Sequence, residues 1–315
     1  MSSSKDRQNA IKKLKALLFT PKTDVTSFRQ KIDATFSSVF LPNNVDCTEK
    51  EFGGVKCDVL MPEICSSNRI MLYIHGGSFV AGSRVSARPF AASLANAIAG
   101  KVIVPEIRLA PAYPFPAALE DVQAVFERVY TEQNVALVMN QSENSPKIPE
   151  IIIASDTSGA SIALPFVYGL KENYRAAIKK ILLFSPWLSL SADDDMFIGK
   201  KVCDEVFTAD SVRLSAEHYT YQENWSNPLV SPIKATREML LGLPPVYIQM
   251  GEKEIYYDDV ISFHSILTNT GVQCDLDIWP EMMPMFQLAD EHLKESHLAI
   301  EKIGKLFTTQ KRDDE

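Results

Sequence analysis

Ile70-Met71-Leu72-Tyr73-Ile74-His75-Gly76-Gly77-Ser78-Phe79-Val80-Ala81-Gly82-Ser83 is the stretch on which the fold of this chain is decided. An unbroken apolar run ends at Ile74 and meets two glycines one residue later. Such runs mark strands buried on both faces of a parallel sheet. Two glycines directly after the strand let the backbone turn its N–H groups toward one point, which is how main chain alone makes an oxyanion hole. A plain glycine turn beside a core histidine is the other reading of this stretch taken by itself.

Working outward, further β-rich runs are predicted at Gly54–Met61, Lys101–Ile107, Glu150–Ala154, Lys180–Phe184, Pro245–Met250 and Cys274–Trp279. Helical stretches alternate with them at Ala87–Ile98, Ala117–Glu132, Ser161–Asn173 and Val260–Thr268. The alternation predicts an α/β fold, a mostly parallel sheet with helices on both faces. A chain of 315 residues fits a single domain of that class. Upstream, Ile11, Leu14, Leu17 and Leu18 recur at helical spacing within residues 5–19, and a second helix is expected over Ser27–Phe40, before Pro42. The first of these helices is expected to pack on the body of the protein. Residues 191–240 follow Ser185-Pro186-Trp187 and carry helical patches without a clear strand. Together with residues 1–45 they read as a helical cap over the carboxyl ends of the strands, where such folds bind ligands.

The composition narrows the partners. A net charge of −8 and a pI of 5.3 repel phosphate backbones, so nucleic acid is excluded as a partner. No apolar run reaches the roughly 18 residues of a membrane span. Met1–Gln8 lacks a signal-peptide core, and a cytoplasmic protein is expected. Cys47, Cys57, Cys65, Cys203 and Cys274 are odd in number and form no CxxC, which points to reduced thiols and no zinc. No metal or cofactor is expected. Lys311–Glu315 reads as a solvated tail.

The glycine loop is followed by Arg108-Leu109-Ala110-Pro111-Ala112-Tyr113-Pro114-Phe115-Pro116-Ala117-Ala118-Leu119-Glu120-Asp121. The pair resembles the hormone-sensitive-lipase family of carboxylesterases, which joins an HGG loop to a YRLAPExPFPAAxxD stretch on an α/β-hydrolase fold. The likeness continues through Ser185-Pro186-Trp187-Leu188, Asn227-Pro228-Leu229-Val230-Ser231-Pro232 and Pro244-Pro245 leading to Gly251. It implies an oxyanion or ligand-binding set of His75, Gly76, Gly77, Ser78, Asp156 and Ser158. It also implies a nucleophile elbow of the form GDSAG, where this chain has Ser155-Asp156-Thr157-Ser158-Gly159. Thr157 thus takes the nucleophile position, at a bend expected to hold positive φ, where a β-branched residue is an outlier. Ser155 and Ser158 flank it with side chains expected to point away from the apex.

Glu254 falls on the acid position of the family's loop, and Asp258 and Asp259 are expected at the start of the next helix. The histidine loop W-x-E-M-x-H-V-F-Q corresponds to Trp279-Pro280-Glu281-Met282-Met283-Pro284-Met285-Phe286-Gln287, so Pro284 stands in the histidine position. A one-residue slip gives Met285 and changes nothing. No histidine lies between His264, on the preceding helix, and His292, expected on the last helix. A hydroxyl nucleophile needs an adjacent base, so nothing basic is expected within reach of Thr157.

Three functions follow from this reading. The first is a ligand-binding pseudoenzyme, similar in kind to the plant gibberellin receptors, which holds a small acyl or carboxylate ligand through the amides of Gly76, Gly77 and Ser158. The second is a surviving carboxylesterase using Thr157 or Ser158 with an unconventional base such as His218. The third is a structural protein whose pocket is filled. The resemblance further implies homodimerisation through the last strand and helix, and places Trp187 and Trp279 at the pocket rim.

Overall fold

A computed structural model of the chain describes residues 2–37, 41–42, 44–66, 68–139, 150–190 and 204–308. Cys203, the first part of the 191–240 insertion and the Lys311–Glu315 tail lie outside the described residues.

Eight strands form one sheet: β1 Val45–Phe52, β2 Val55–Pro62, β3 Arg69–Ile74, β4 Lys101–Pro105, β5 Glu150–Asp156, β6 Ile178–Phe184, β7 Val246–Gly251 and β8 Cys274–Trp279. Their order is β1-β2-β4-β3-β5-β6-β7-β8, with β2 antiparallel to β1 and β4 and the remaining pairs parallel. The predicted α/β class and mostly parallel sheet are observed. Between strands run the helices Arg84–Ile98, Ala117–Met139, Ala160–Gly169 and Tyr257–Asn269, and Lys294–Thr308 closes the described chain. The chain leaves β3 for β4 on one side and returns to β5 on the other. This reversal sets the loops after β3 and β5 side by side, in the crevice where doubly wound sheets place ligands. Ile74 pairs with Ser155 at the very ends of the two strands.

One strand is unanticipated. Half of the residues of β1 are charged and most are exposed, so no apolar alternation marks them. The hairpin is made by Gly53 and Gly54, both at positive φ, between the paired Phe52 and Val55. Two such residues are what a tight two-residue hairpin turn requires.

The N-terminal helices, Ser4–Leu14 and Val25–Phe36, lie against the body of the protein and bury Ile11, Leu14, Phe28 and Ile32. The second runs over Val25–Phe36, with the Ser37 amide closing a turn on Asp33 O, and the expected end at Phe40 lies outside the described residues. Hydrogen bonds fasten this cover to the HGG loop. Arg29 donates through Nε to Val80 O at 2.7 Å and through Nη2 to Ala110 O at 3.0 Å, and Ser83 Oγ donates to Asp33 at 2.6 Å. On the other side Lys13 Nζ reaches Leu288 O at 2.7 Å. Replacing Arg29 by Ala strips two partly buried carbonyls of a charged donor. Urea unfolding is expected to show a loss of about 2 kcal/mol at unchanged slope.

Candidate active site

The elbow begins where β5 ends at Asp156. A short 3-10 turn, Thr157–Gly159, leads into the buried helix Ala160–Gly169. Thr157 holds φ at 41°, the left-handed region that a β-branched side chain avoids. Neighbours hold it there. The Trp187 amide donates to Thr157 O at 3.0 Å, and a Cβ on Gly159 would come within 2.3 Å of Ile74 O. Thr157 is buried, and its Oγ1 donates to Asp156 Oδ2 at 3.1 Å.

Asp156 organises the ground beneath the elbow. Its Oδ1 accepts from the Gly76 amide at 2.8 Å and from the Tyr73 hydroxyl at 2.5 Å. Burial pushes its carboxyl up, while the bonds from Tyr73 and Gly76 oppose that rise. Two expectations are corrected here. The Gly76 N–H, expected to face a ligand, is taken by Asp156, because a buried carboxylate must find donors. A base does stand within reach of the Thr157 hydroxyl, and it is this carboxylate. Gly76 could be no other residue, since a Cβ there would lie 1.9 Å from Thr157 Oγ1.

The rest of the loop runs through Gly77, Ser78 and Phe79 at φ of 119°, 60° and 63°. The Phe79 amide donates to Ser158 Oγ at 3.2 Å, so the Ser158 hydroxyl is turned to the loop and away from the apex. Ser155 is fully buried. His75 is buried with Nδ1 2.8 Å from Gly76 O.

Across the site, Glu254 follows β7. Its Oε1 accepts from Ser185 Oγ at 2.8 Å and from the Gly251 amide at 2.5 Å, and its buried Oε2 has no hydrogen-bond partner among the described residues. Burial pushes the carboxyl up to about 8. Ser185 Oγ in turn accepts the Met285 amide at 3.0 Å. A serine hydroxyl, itself held by the Met285 amide, therefore faces the acid, and Pro284 and Met285 are both buried. Ser185 was not marked as a site residue by sequence reasoning. Its place in the Ser185-Pro186-Trp187 motif was the available signal.

The other histidines bond elsewhere. His218 Nδ1 lies 2.8 Å from Leu214 O within its own helix, Ala209–Tyr219, and its ring meets Phe19 edge-on. His264 Nε2 lies 3.2 Å from Cys274 O. His292 precedes the last helix and does not sit on it as expected, because its amide closes a turn on Ala289 O. Among the described residues no histidine hydrogen-bonds Thr157.

Aromatic rings crowd the elbow. Phe79 stacks on Tyr219 at 4.0 Å and 9°, and packs 4.9 Å from Trp187, which continues to Tyr256 at 5.7 Å. Trp187 is 1% exposed, so it belongs to this stack and not to a pocket rim. Its own main chain is tied to the elbow, and its flat ring is the natural filler beside the Phe79 ring. Trp279 is partly buried against Phe286 and donates to Asp277 at 3.0 Å.

Among the described residues no group of three or more His, Cys, Asp or Glu could hold a metal ion, and no helix is long and apolar enough to cross a membrane. Residues 71–288 match the family model described as alpha/beta hydrolase fold. An acetyl-hydrolase of Streptomyces hygroscopicus is 29% identical over 241 residues, 76% of each chain. An esterase of Acinetobacter venetianus is 26% identical over 245 residues, 78% of this chain and 76% of that one. The crystal structure of an esterase from the bacterial hormone-sensitive lipase family superimposes with a TM-score of 0.85 at 24% identity, covering 98% of this chain and 99% of that one.

Proposed function

Because the chain belongs to the α/β-hydrolase family, of the hormone-sensitive-lipase type, we propose that it keeps that family's scaffold as a small-molecule-binding protein and does not hydrolyse esters through a triad. The observation that carries this reading is what faces the acid. Ser185 Oγ and the Met285 amide stand in the relay next to Glu254, and neither can take a proton from a nucleophile. The nucleophile position agrees, since the Thr157 hydroxyl is spent on Asp156. Relatives named acetyl-hydrolase and esterase support a pocket of acyl size as the inherited feature.

A second reading rests on that same bond. At 3.1 Å, Asp156 Oδ2 is within the reach a general base needs, which would make the chain a slow esterase with Thr157 as nucleophile. Burial, which raises the Asp156 carboxyl, favours this reading; against it, Oδ1 is already taken by Tyr73 and Gly76, and Thr157 is held at a φ that crowds its methyl group against the path to its oxygen. Purified protein offered p-nitrophenyl acetate and butyrate separates the two. No turnover sensitive to Thr157→Ala is expected. Turnover lost in both Thr157→Ala and Asp156→Asn would reject the binding reading in favour of the slow esterase.

A further inference from the structure

Beside the elbow, but not over Thr157, lies a cavity of about 40 Å³ under the N-terminal helices. Leu17, Ile32, Phe36 and Leu288 wall it, and His75 and Asp156 bring polar groups to it together with Tyr73, Ser86 and the glycine backbone; neither Thr157 nor any ring of the Phe79 stack lines it. One water needs roughly 10–15 Å³, so the space holds about three or four non-hydrogen atoms.

The imidazole among these polar groups has a defined chemistry. His75 Nδ1 stands 2.8 Å from the carbonyl oxygen of Gly76, which can only accept. Nδ1 therefore carries the hydrogen, and in the neutral ring Nε2 is left as an acceptor. That Nε2 is buried and has no hydrogen-bond partner among the described residues. A buried acceptor without a donor is costly, and a ligand bringing an O–H would relieve it.

We propose that this cavity binds a small, neutral, hydroxyl-bearing aliphatic molecule, which donates to His75 Nε2 and lays its carbon chain against Leu17, Ile32, Phe36 and Leu288. This deepens the binding reading above by giving it a place and a ligand class. Charge argues against the alternatives. A carboxylate would face the Nε2 lone pair and the Asp156 carboxyl, and with the Gly76 N–H taken by Asp156 the backbone of Gly77 alone would have to outweigh both. An ammonium would have to shed its water among apolar walls, and Asp156 already accepts from Tyr73, Gly76 and Thr157.

The probe is 1-propanol, compared with acetone, which matches it in size but only accepts, and with propionate. The readout is the Nε2 resonance of His75 in protein labelled with ¹⁵N-histidine, assigned by its disappearance in His75→Gln. In the free protein Nε2 is expected at the resonance position of an unprotonated ring nitrogen. 1-Propanol should move it upfield saturably, acetone at least tenfold more weakly, and propionate not at all. Leu17→Phe and Ile32→Phe, which fill the cavity from the cap side, should each abolish the response while leaving the free-state signal in place. An Nε2 that resonates as N–H, an equal response to acetone, or a response that survives both filling variants overturns the proposal. Ester turnover measured on the same sample fails or stands separately. Its appearance would remove the non-hydrolytic reading and leave the nitrogen resonance to be judged by itself.

Discussion

Thr157→Ser combined with Pro284→His is expected to raise kcat/KM for p-nitrophenyl acetate by about 100-fold or more over the parent chain, the lower range of what a positioned general base contributes. Serine removes the methyl group from a residue held at φ 41°, so the strain of a β-branched side chain goes and the path to the oxygen opens. Histidine at 284 enters beside Glu254, whose Oε2 has no partner among the described residues and can accept an imidazole N–H. That bond would also favour the ionised carboxyl, now burdened by burial. Neither single change is expected to give more than a small part of the gain, because nucleophile and base act as a unit. The rate should still fall short of a full esterase. Asp156 keeps the Gly76 amide, leaving only Gly77 and Ser158 to hold an oxyanion. A double variant no faster than Thr157→Ser alone would mean that the damage extends beyond the two replaced groups.

The parts of the site that follow from main-chain demands were legible in the sequence. A strand running into His75-Gly76-Gly77 announces a sharp backbone turn, and Gly77 indeed holds φ at 119°. The elbow announces positive φ, and Thr157 has it. What could not be read was where hydroxyls and amides would turn once packed. The Thr157 hydroxyl rotates onto Asp156, the Gly76 amide goes to the same carboxylate, and Ser185 takes up the acid. The last two of these choices depend on distances between residues far apart in the chain, and the first on a rotamer set by packing. Trp187 illustrates the same limit, since motif position placed it at the pocket rim but only packing against Phe79 and Tyr256 decides that it is buried in a ring stack. The missed β1 has a different cause. An edge strand with charged residues on both faces carries no hydrophobic period, and only the Gly53-Gly54 turn betrays it.

Glu254→Gln is expected to abolish most of a fall in stability between about pH 4.5 and about pH 8. In the folded chain burial raises this carboxyl from 4.5 to about 8, helped by the nearby Asp204, while the bonds from Gly251 and Ser185 only partly oppose the rise. Across that window the folded state therefore binds more protons than the unfolded state, so stability declines as pH rises. The whole effect is on the order of 4 kcal/mol, since each pH unit of the window contributes about 1.4 kcal/mol at most. Glutamine mimics the protonated acid. It can still accept from Ser185 and Gly251 through its carbonyl oxygen, and it does not titrate. The two proteins should unfold at similar urea concentrations near pH 4.5, and the variant should be clearly more stable near pH 8.5. A smaller slope should persist in the variant from Asp204, itself raised to about 6 by burial. An imidazolium facing Glu254 would hold its carboxyl down and reverse the slope, so the direction of this titration also reports whether a histidine reaches the acid. Parallel stability curves for the two proteins, or a parent chain that gains stability with pH, would show that Glu254 is ionised and paired, and the non-hydrolytic reading would lose its main support.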